Sequence, residues 1–284
     1  MSASSDLASK QTADLRDFSG RLLLLGAGKM GFALLEGWLR LGLDASRVAV
    51  IEPSPSADIQ ALTGRGLALN PAAPALDGVD VIVLAVKPQI AAEAIAPFAS
   101  RVRSTTLVLS IMAGRTLQFL SVATKDTGAL VRAMPNTPAA IGRGITVAVP
   151  RRAEPAQREL ADTLLSATGA VEWIEDEALM DAVTAVSGSG PAYVFLLVEA
   201  LAQAGAAAGL PRHLAERLAR ETVAGSGELL HRSPLPAANL RENVTSPGGT
   251  TAAALQVLMA AHGLGPLLQD AVTAAAARSR QLAG

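Results

Sequence analysis

The chain of 284 residues carries 24 Lys and Arg against 25 Asp and Glu, with three His and no Cys. A net charge of −1 offers no field to attract nucleic acid or anionic lipid, and the missing cysteines exclude a disulfide framework, a thiolate nucleophile and a zinc ribbon. Hydrophobic residues make up 50% but aromatic residues only 3%, so disorder is excluded and a core must be built from Ala, Leu and Val.

Residues 1–20 are polar and lack the basic start and apolar run of a secretory signal, so they are expected to form a flexible amino-terminal extension. From Arg21 the pattern alternates between short apolar runs and longer helical stretches. The runs are Leu22–Leu25, Val48–Ile51, Val81–Val86, Thr106–Ile111, Ala129–Ala133, Thr146–Val149 and Val171–Ile174. Several are continuous, as expected for strands covered on both faces, and strand-then-helix repetition implies a mostly parallel sheet. The first helix is expected to start at the Gly28–Gly31 turn and to stop at Gly42.

After about Glu177 the strand signal ends and Ala-rich helix follows. The expected helices are 192–208, 212–230, 250–262 and 266–282, with Gly209 ending the first and Pro211 opening the second. A Pro-containing link over Ser233–Pro236 comes after the second. Leu264, Leu267, Leu268, Ala271, Val272 and Ala275 form an apolar stripe along the last. The stretch most like a membrane span, Ala192–Leu210, carries Glu199 and Gln203 and is read as a helix packed between protein partners. Two domains are therefore expected after the extension: an α/β domain over 21–176 and an all-helical domain over 177–284.

The run Leu22–Leu25 leads straight into Gly26-Ala27-Gly28-Lys29-Met30-Gly31. This G-x-G-x-x-G lies between a strand and a helix, the setting of a dinucleotide site. Gly26 permits the tight turn, Gly28 lets a pyrophosphate approach the backbone, and Gly31 lets helix and strand pack closely. Glu52 ends the second strand about 20 residues on, where an acid can accept hydrogen bonds from ribose hydroxyls. It would repel a 2′-phosphate, which favours NAD slightly over NADP. Ser54 and Ser56 could still bind such a phosphate. Three more loops follow strand ends: Ala85-Val86-Lys87-Pro88, Ser110-Ile111-Met112-Ala113-Gly114 and Met134-Pro135-Asn136-Thr137-Pro138.

Two clusters interrupt the helical region, Ser187-Gly188-Ser189-Gly190-Pro191 and Thr245-Ser246-Pro247-Gly248-Gly249-Thr250-Thr251. Each precedes a helix and would present N–H groups and hydroxyls to a carboxylate, while Ser and Thr side chains are also expected to cap the helices. None of His213, His231 and His262 lies in a motif, and no metal-ligand spacing is present.

Together these segments resemble the pyrroline-5-carboxylate reductase family. The resemblance runs from about Arg21 to the end and rests on Leu25–Gly31, Ala85–Gln89, Arg132–Thr137, Asp181–Val194 and Leu240–Thr251. It implies a Rossmann-like dinucleotide-binding domain followed by an all-helical dimerisation domain, with homodimers that often assemble further into a decamer, in the cytoplasm. Neither nucleic acid nor membrane is implied as a partner. The implied reaction reduces 1-pyrroline-5-carboxylate to L-proline with NADH or NADPH. Thr251 matches the hydroxyl near the ring nitrogen. Ser246, Gly248, Gly249 and Thr250 match the carboxylate loop, and Glu242 and Asn243 its start. Lys87, Asn136 and Thr137 match positions around the nicotinamide and its ribose. Ala85, Val86, Pro88, Ala113 and Gly114 belong to the same strand-end loops, and Lys29, Met30 and Ser54 to the phosphate and adenosine end. Many family members also carry an Asn near the adenosine; the aligned position here is Ala72, and Asn70 either substitutes for it or the contact is absent.

Two other classes are compatible with the glycine motif. A 3-hydroxyacid dehydrogenase or other imine reductase shares it, but the former usually uses a Lys in the helical region, and no Lys follows Lys125. A non-catalytic nucleotide-binding regulator would have no reason to keep both serine–glycine clusters. The low aromatic content fits a dimer, because Ala and Gly concentrate in 192–209 and 252–277, where small residues let helices approach closely.

Overall fold

The computed structural model describes residues 14–72 and 77–283. They divide into two compact units: residues 14–188 with 279–283, and residues 189–278. The first unit therefore extends past the expected boundary at 176. It also takes back the end of the chain.

The first unit is built on one eight-stranded sheet in the order β3-β2-β1-β4-β5-β6-β7-β8. The strands are β1 Leu22–Leu25, β2 Val48–Ile51, β3 Ala68–Leu69, β4 Val81–Leu84, β5 Leu107–Ser110, β6 Ala129–Met134, β7 Gly144–Arg151 and β8 Gly169–Trp173. β1 lies parallel between β2 and β4, with Leu22 opposite both Val48 and Val81. Only β6 and β7 pair antiparallel. All seven expected strands are present, and the short edge strand β3 is an addition. Its two residues are too few to leave a periodic signal.

The continuous apolar runs have a direct cause. Leu22 and Leu24 point into one core with Leu34, Leu35 and Trp38, while Leu23 and Leu25 point into a second with Ile95, Phe98 and Leu120. The first core lies under α1 (Lys29–Arg40) and α5 (Pro155–Ser166), where the fully buried Trp38 donates its indole N–H to the Leu164 carbonyl at 2.8 Å. The second core lies under α3 (Ala91–Ile95) and α4 (Leu117–Ala123); a short α2 (Ala57–Ala61) buries Ile59 on the first side. Gly42 ends α1 as expected, in the left-handed region at φ +91°.

The expected extension needs correction where it is described. Leu15 is only 2% exposed, joins the first core, and donates its N–H to the Leu41 carbonyl. Leu15 and the partly buried Phe18, which packs on the same core, are scattered in a polar stretch with no periodicity to reveal them. Residues 1–13 lie outside the described residues.

After β8 the chain forms α6 (Met180–Val183), followed by a widened helical turn over Thr184–Gly188. The second unit then contains α7 (Gly190–Ala207), α8 (Arg212–Arg232), α9 (Ala237–Asn243), α10 (Thr250–Leu258) and most of α11 (Leu264–Ala283). Gly209 takes φ +102° between α7 and α8. Those two helices approach closely through small residues: a Cβ at Gly205 would meet the Ala215 methyl at 3.3 Å, and Ala215 and Ala219 are buried. α9 is an addition to the expected helices. The prolines of the link, Pro234 and Pro236, lie before it rather than inside it, and Pro236 occupies its capping position.

Candidate active site

In the first unit the loops at the carboxyl ends of the strands converge. The glycine turn joins β1 to α1, and two of its three glycines, Gly26 and Gly31, are required by the local packing for different reasons. Gly26 has φ +88°, and a Cβ there would lie 2.7 Å from the Ala85 carbonyl. A Cβ at Gly31 would fall 2.3 Å from the Gly26 carbonyl. Gly28 has open space around it and stands at the helix start without any side-chain cap, so the first-turn N–H groups face outward. That is a cradle fitted to a pyrophosphate. Lys29 beside it is exposed and Met30 half-buried.

Glu52 sits beside this turn, where the motif places an acid. Its Oε2 accepts the Ala27 N–H at 2.9 Å and its Oε1 the Ser54 N–H at 3.0 Å. Asn70, at φ +46°, is bonded both ways to the same residue: its Oδ1 accepts the Glu52 N–H and its Nδ2 donates to the Glu52 carbonyl, each at 2.9 Å. Asn70 thus braces the end of β2, a role the motif did not indicate.

The loop after β4 is held by a residue that the sequence motifs do not include. Arg115 donates from Nε at 2.9 Å and from Nη2 at 2.5 Å to the Pro88 carbonyl, and its guanidinium stacks 4.8 Å from the Phe119 ring centroid. It rivets Val86–Pro88 to the Ala113-Gly114 loop after β5. Its place directly after Gly114 was the available signal. Ala85 and Val86 are half-buried and Lys87 is exposed. Gly114 has φ +70°, and a Cβ there would lie 3.5 Å from the Leu282 carbonyl of the returning C-terminal turn.

At the end of β6, Asn136 accepts the Ile145 N–H on Oδ1 at 2.9 Å, which fixes its amide, and Thr137 beside it is exposed. Arg132, buried on β6, pairs with Glu177 at 2.7 Å, and the same Glu177 oxygen accepts the Leu117 N–H at 2.8 Å. This clamp ties the segment after β8 to the sheet. A carboxylate held below its usual range, Asp126, lies at the opposite, amino edge of the sheet, bound first by the Ser121 hydroxyl and then by Arg152.

In the second unit, the segment after α9 builds a separate cradle. Glu242 and Asn243 are exposed at the end of α9, and the Glu242 carbonyl accepts the Thr245 N–H. Gly248 turns the chain at φ +71°, and the extended Gly249 starts α10 with no side-chain cap. The N–H groups of that first turn are left beside Ser246, Thr250 and Thr251. The expectation of Ser and Thr capping is therefore corrected at both clusters. α10 begins on a glycine, and α7 begins on Ser189, whose backbone is already helical at φ −87°, ψ −24° and whose side chain makes no cap.

A family model described as pyrroline-5-carboxylate reductase dimerisation matches residues 177–282. Another, described as NADP oxidoreductase, coenzyme F420-dependent, matches residues 21–114. The Pseudomonas aeruginosa pyrroline-5-carboxylate reductase is 38% identical over 267 residues, 93% of this chain and 97% of that one. This chain belongs to the pyrroline-5-carboxylate reductase family. The Synechocystis reductase is 46% identical over 204 residues, 72% of this chain and 75% of its own. Among solved structures, the Coxiella burnetii pyrroline-5-carboxylate reductase superposes with a TM-score of 0.85 at 32% identity, covering 93% of this chain and 98% of that one. The Plasmodium falciparum pyrroline carboxylate reductase, solved with NADP bound, superposes at 0.77 and 30% identity, covering 94% and 99%.

The dimerisation model gives meaning to the helical unit of this reductase. α7 and α10 contain no buried residue, and Phe195, Leu196 and Leu267 are each 63% exposed. The stretch Glu177–Ala207 has the length and composition to cross a membrane, but it falls within the dimerisation domain.

Proposed function

We infer that the protein reduces 1-pyrroline-5-carboxylate to L-proline, the last step of proline biosynthesis. The observation that carries this reading is the uncapped start of α10, where free N–H groups and the Ser246, Thr250 and Thr251 hydroxyls are grouped for a small carboxylate. Bound NADH or NADPH supplies the hydride for the imine carbon. The residues present fit such a cofactor: the open backbone at Gly28 takes the pyrophosphate, Glu52 and Ser54 the adenosine ribose, and the Ala85–Pro88, Ala113-Gly114 and Asn136-Thr137 loops the nicotinamide half.

The chain's own residues orient and hold. Ser246, Gly248, Gly249 and Thr250 bind the substrate carboxylate, with Glu242 and Asn243 shaping the entry to that loop. Thr251 donates a hydrogen bond to the ring nitrogen. A protonated imine already carries the positive charge that draws a hydride, and its nitrogen keeps its proton as it becomes an amine. No strong acid is needed, so a hydroxyl suffices. Glu52 favours NADH. The chain works in the cytoplasm as a homodimer gathered into a decamer, with neither nucleic acid nor membrane as partner. The exposed apolar faces of α7 and α10 support the dimer.

The test is cofactor oxidation with 1-pyrroline-5-carboxylate, run with NADH and NADPH in parallel. Thr251→Val should lower turnover about tenfold to a thousandfold, by analogy with removing one oxyanion-hole donor. No turnover with either cofactor would overturn the activity. Turnover near wild type in the variant would remove Thr251 from its role and leave the activity standing.

A further inference from the structure

Among the described residues, one buried side-chain polar atom lacks a hydrogen-bond partner: the Oγ of Ser187. A hydroxyl kept from water without a partner lowers stability, so it persists where something else repays it. Ser187 lies in the widened turn Thr184–Gly188. Such a turn inserts one residue into a helix and rotates the residues after it by about 100°, and turns of this kind recur at functional sites. Two local rules are therefore broken at one residue.

The position is specific. Ser187 belongs to the first unit, and Met180 and Val183 just before it pack into the second core with Met134. A Cβ at the next residue, Gly188, would lie 2.5 Å from the Met134 Cε. Met134 ends β6 and leads into Pro135-Asn136-Thr137. Ser187 is thus brought to the carboxyl edge of the sheet at β6, three strands away from the glycine turn at β1 in the order β1-β4-β5-β6. A dinucleotide anchored at that turn has its adenosine on the β2 side and its nicotinamide toward β4 to β6.

We propose that the Ser187 hydroxyl hydrogen-bonds the carboxamide of the nicotinamide ring. A hydroxyl both donates and accepts, and a carboxamide offers one group of each kind, so either rotation of the hydroxyl finds a partner. The bond fixes which face of the ring is presented. This proposal rests on the cofactor reading above, and the experiment separates the two.

Calorimetric titrations of the full-length protein compare wild type and Ser187→Ala with NADH, NADPH, ADP-ribose and 2′-phospho-ADP-ribose. Loss of one neutral hydrogen bond should weaken the whole cofactors about threefold to tenfold. The two fragments lack nicotinamide and should bind both proteins alike. The melting temperature of Ser187→Ala should equal or exceed that of wild type, because an unsatisfied hydroxyl has been removed. A purely structural serine would instead lower it. Equal weakening of fragments and cofactors, no weakening at all, or dissociation of the dimer in the variant would overturn the role of Ser187. A wild type that binds neither cofactors nor fragments would overturn the cofactor site itself, and Ser187 with it.

Discussion

The two units handle apolar residues in opposite ways. In the sheet unit, β1, β4 and β5 are buried along their whole length, and Trp38 is fully enclosed between α1 and α5. In the helical unit, α7 has a richer apolar run, yet none of its residues is buried and Phe195 and Leu196 stand open. A sheet flanked by helices closes its own two cores. A helix apolar on most sides needs more neighbours than α8 alone supplies, which is what a dimerisation domain provides. The difference is between stability held within one chain and stability held between chains.

Mutations on either side of this contrast should separate it. Trp38→Ala removes a buried side chain and its bond to Leu164, and should cost about 3–5 kcal/mol at any protein concentration, read from denaturant melts. Phe195→Glu should leave the sheet unit folded but shift the protein toward monomer in sedimentation velocity, with a lower melting temperature than the dimeric wild type at equal concentration. A dimer unaffected by Phe195→Glu would break the comparison. Within the sheet unit, Glu52→Ser should move the ratio of kcat/KM for NADPH over NADH upward by about tenfold, because a carboxylate facing a 2′-phosphate is removed. An unchanged ratio would take Glu52 away from the ribose. Arg115→Ala should have the smallest effect, a rise in cofactor KM of about threefold to tenfold with kcat little changed, since it frees the Val86–Pro88 loop without touching the reacting atoms.

Much of the site was readable residue by residue. The glycine motif assigned a tight turn to Gly26 and a close helix–strand approach to Gly31, and the geometry at those two agrees, while Gly28 stands open. β1, β2, β4, β5 and most of β6 were readable because burial on both faces leaves near-continuous apolar runs, while β7 and β8 are only partly buried. What escaped had no such pattern. β3 is two residues long, Leu15 and Phe18 are scattered apolar residues in a polar stretch, and α9 is a short helix directly after prolines that read as a link. Serine and threonine capping failed as an expectation because the capping position of α10 falls on Gly249, and Ser189 at that of α7 already has a helical backbone, neither of which composition reveals. Thr245 instead donates its hydroxyl to the Arg241 carbonyl, back into α9 rather than to the helix start.

The sequence alone determined the local grammar of this protein: periods of apolar residues, the glycine turn, and the two serine–glycine clusters that carry the family resemblance. These depend on neighbours a few residues apart, so they survive without knowledge of the chain's path. Tertiary structure decided the contacts between distant segments. Arg115 reaches Pro88 across 27 positions, and Glu52 reaches Ala27 across 25. Ser279 donates its hydroxyl to Asp181 across 98 positions and helps bring the chain's end back to the sheet unit. The parting of Ser187 Oγ from every partner is of the same kind. Each depends on where the backbone carries a side chain after many turns, and no local propensity encodes that.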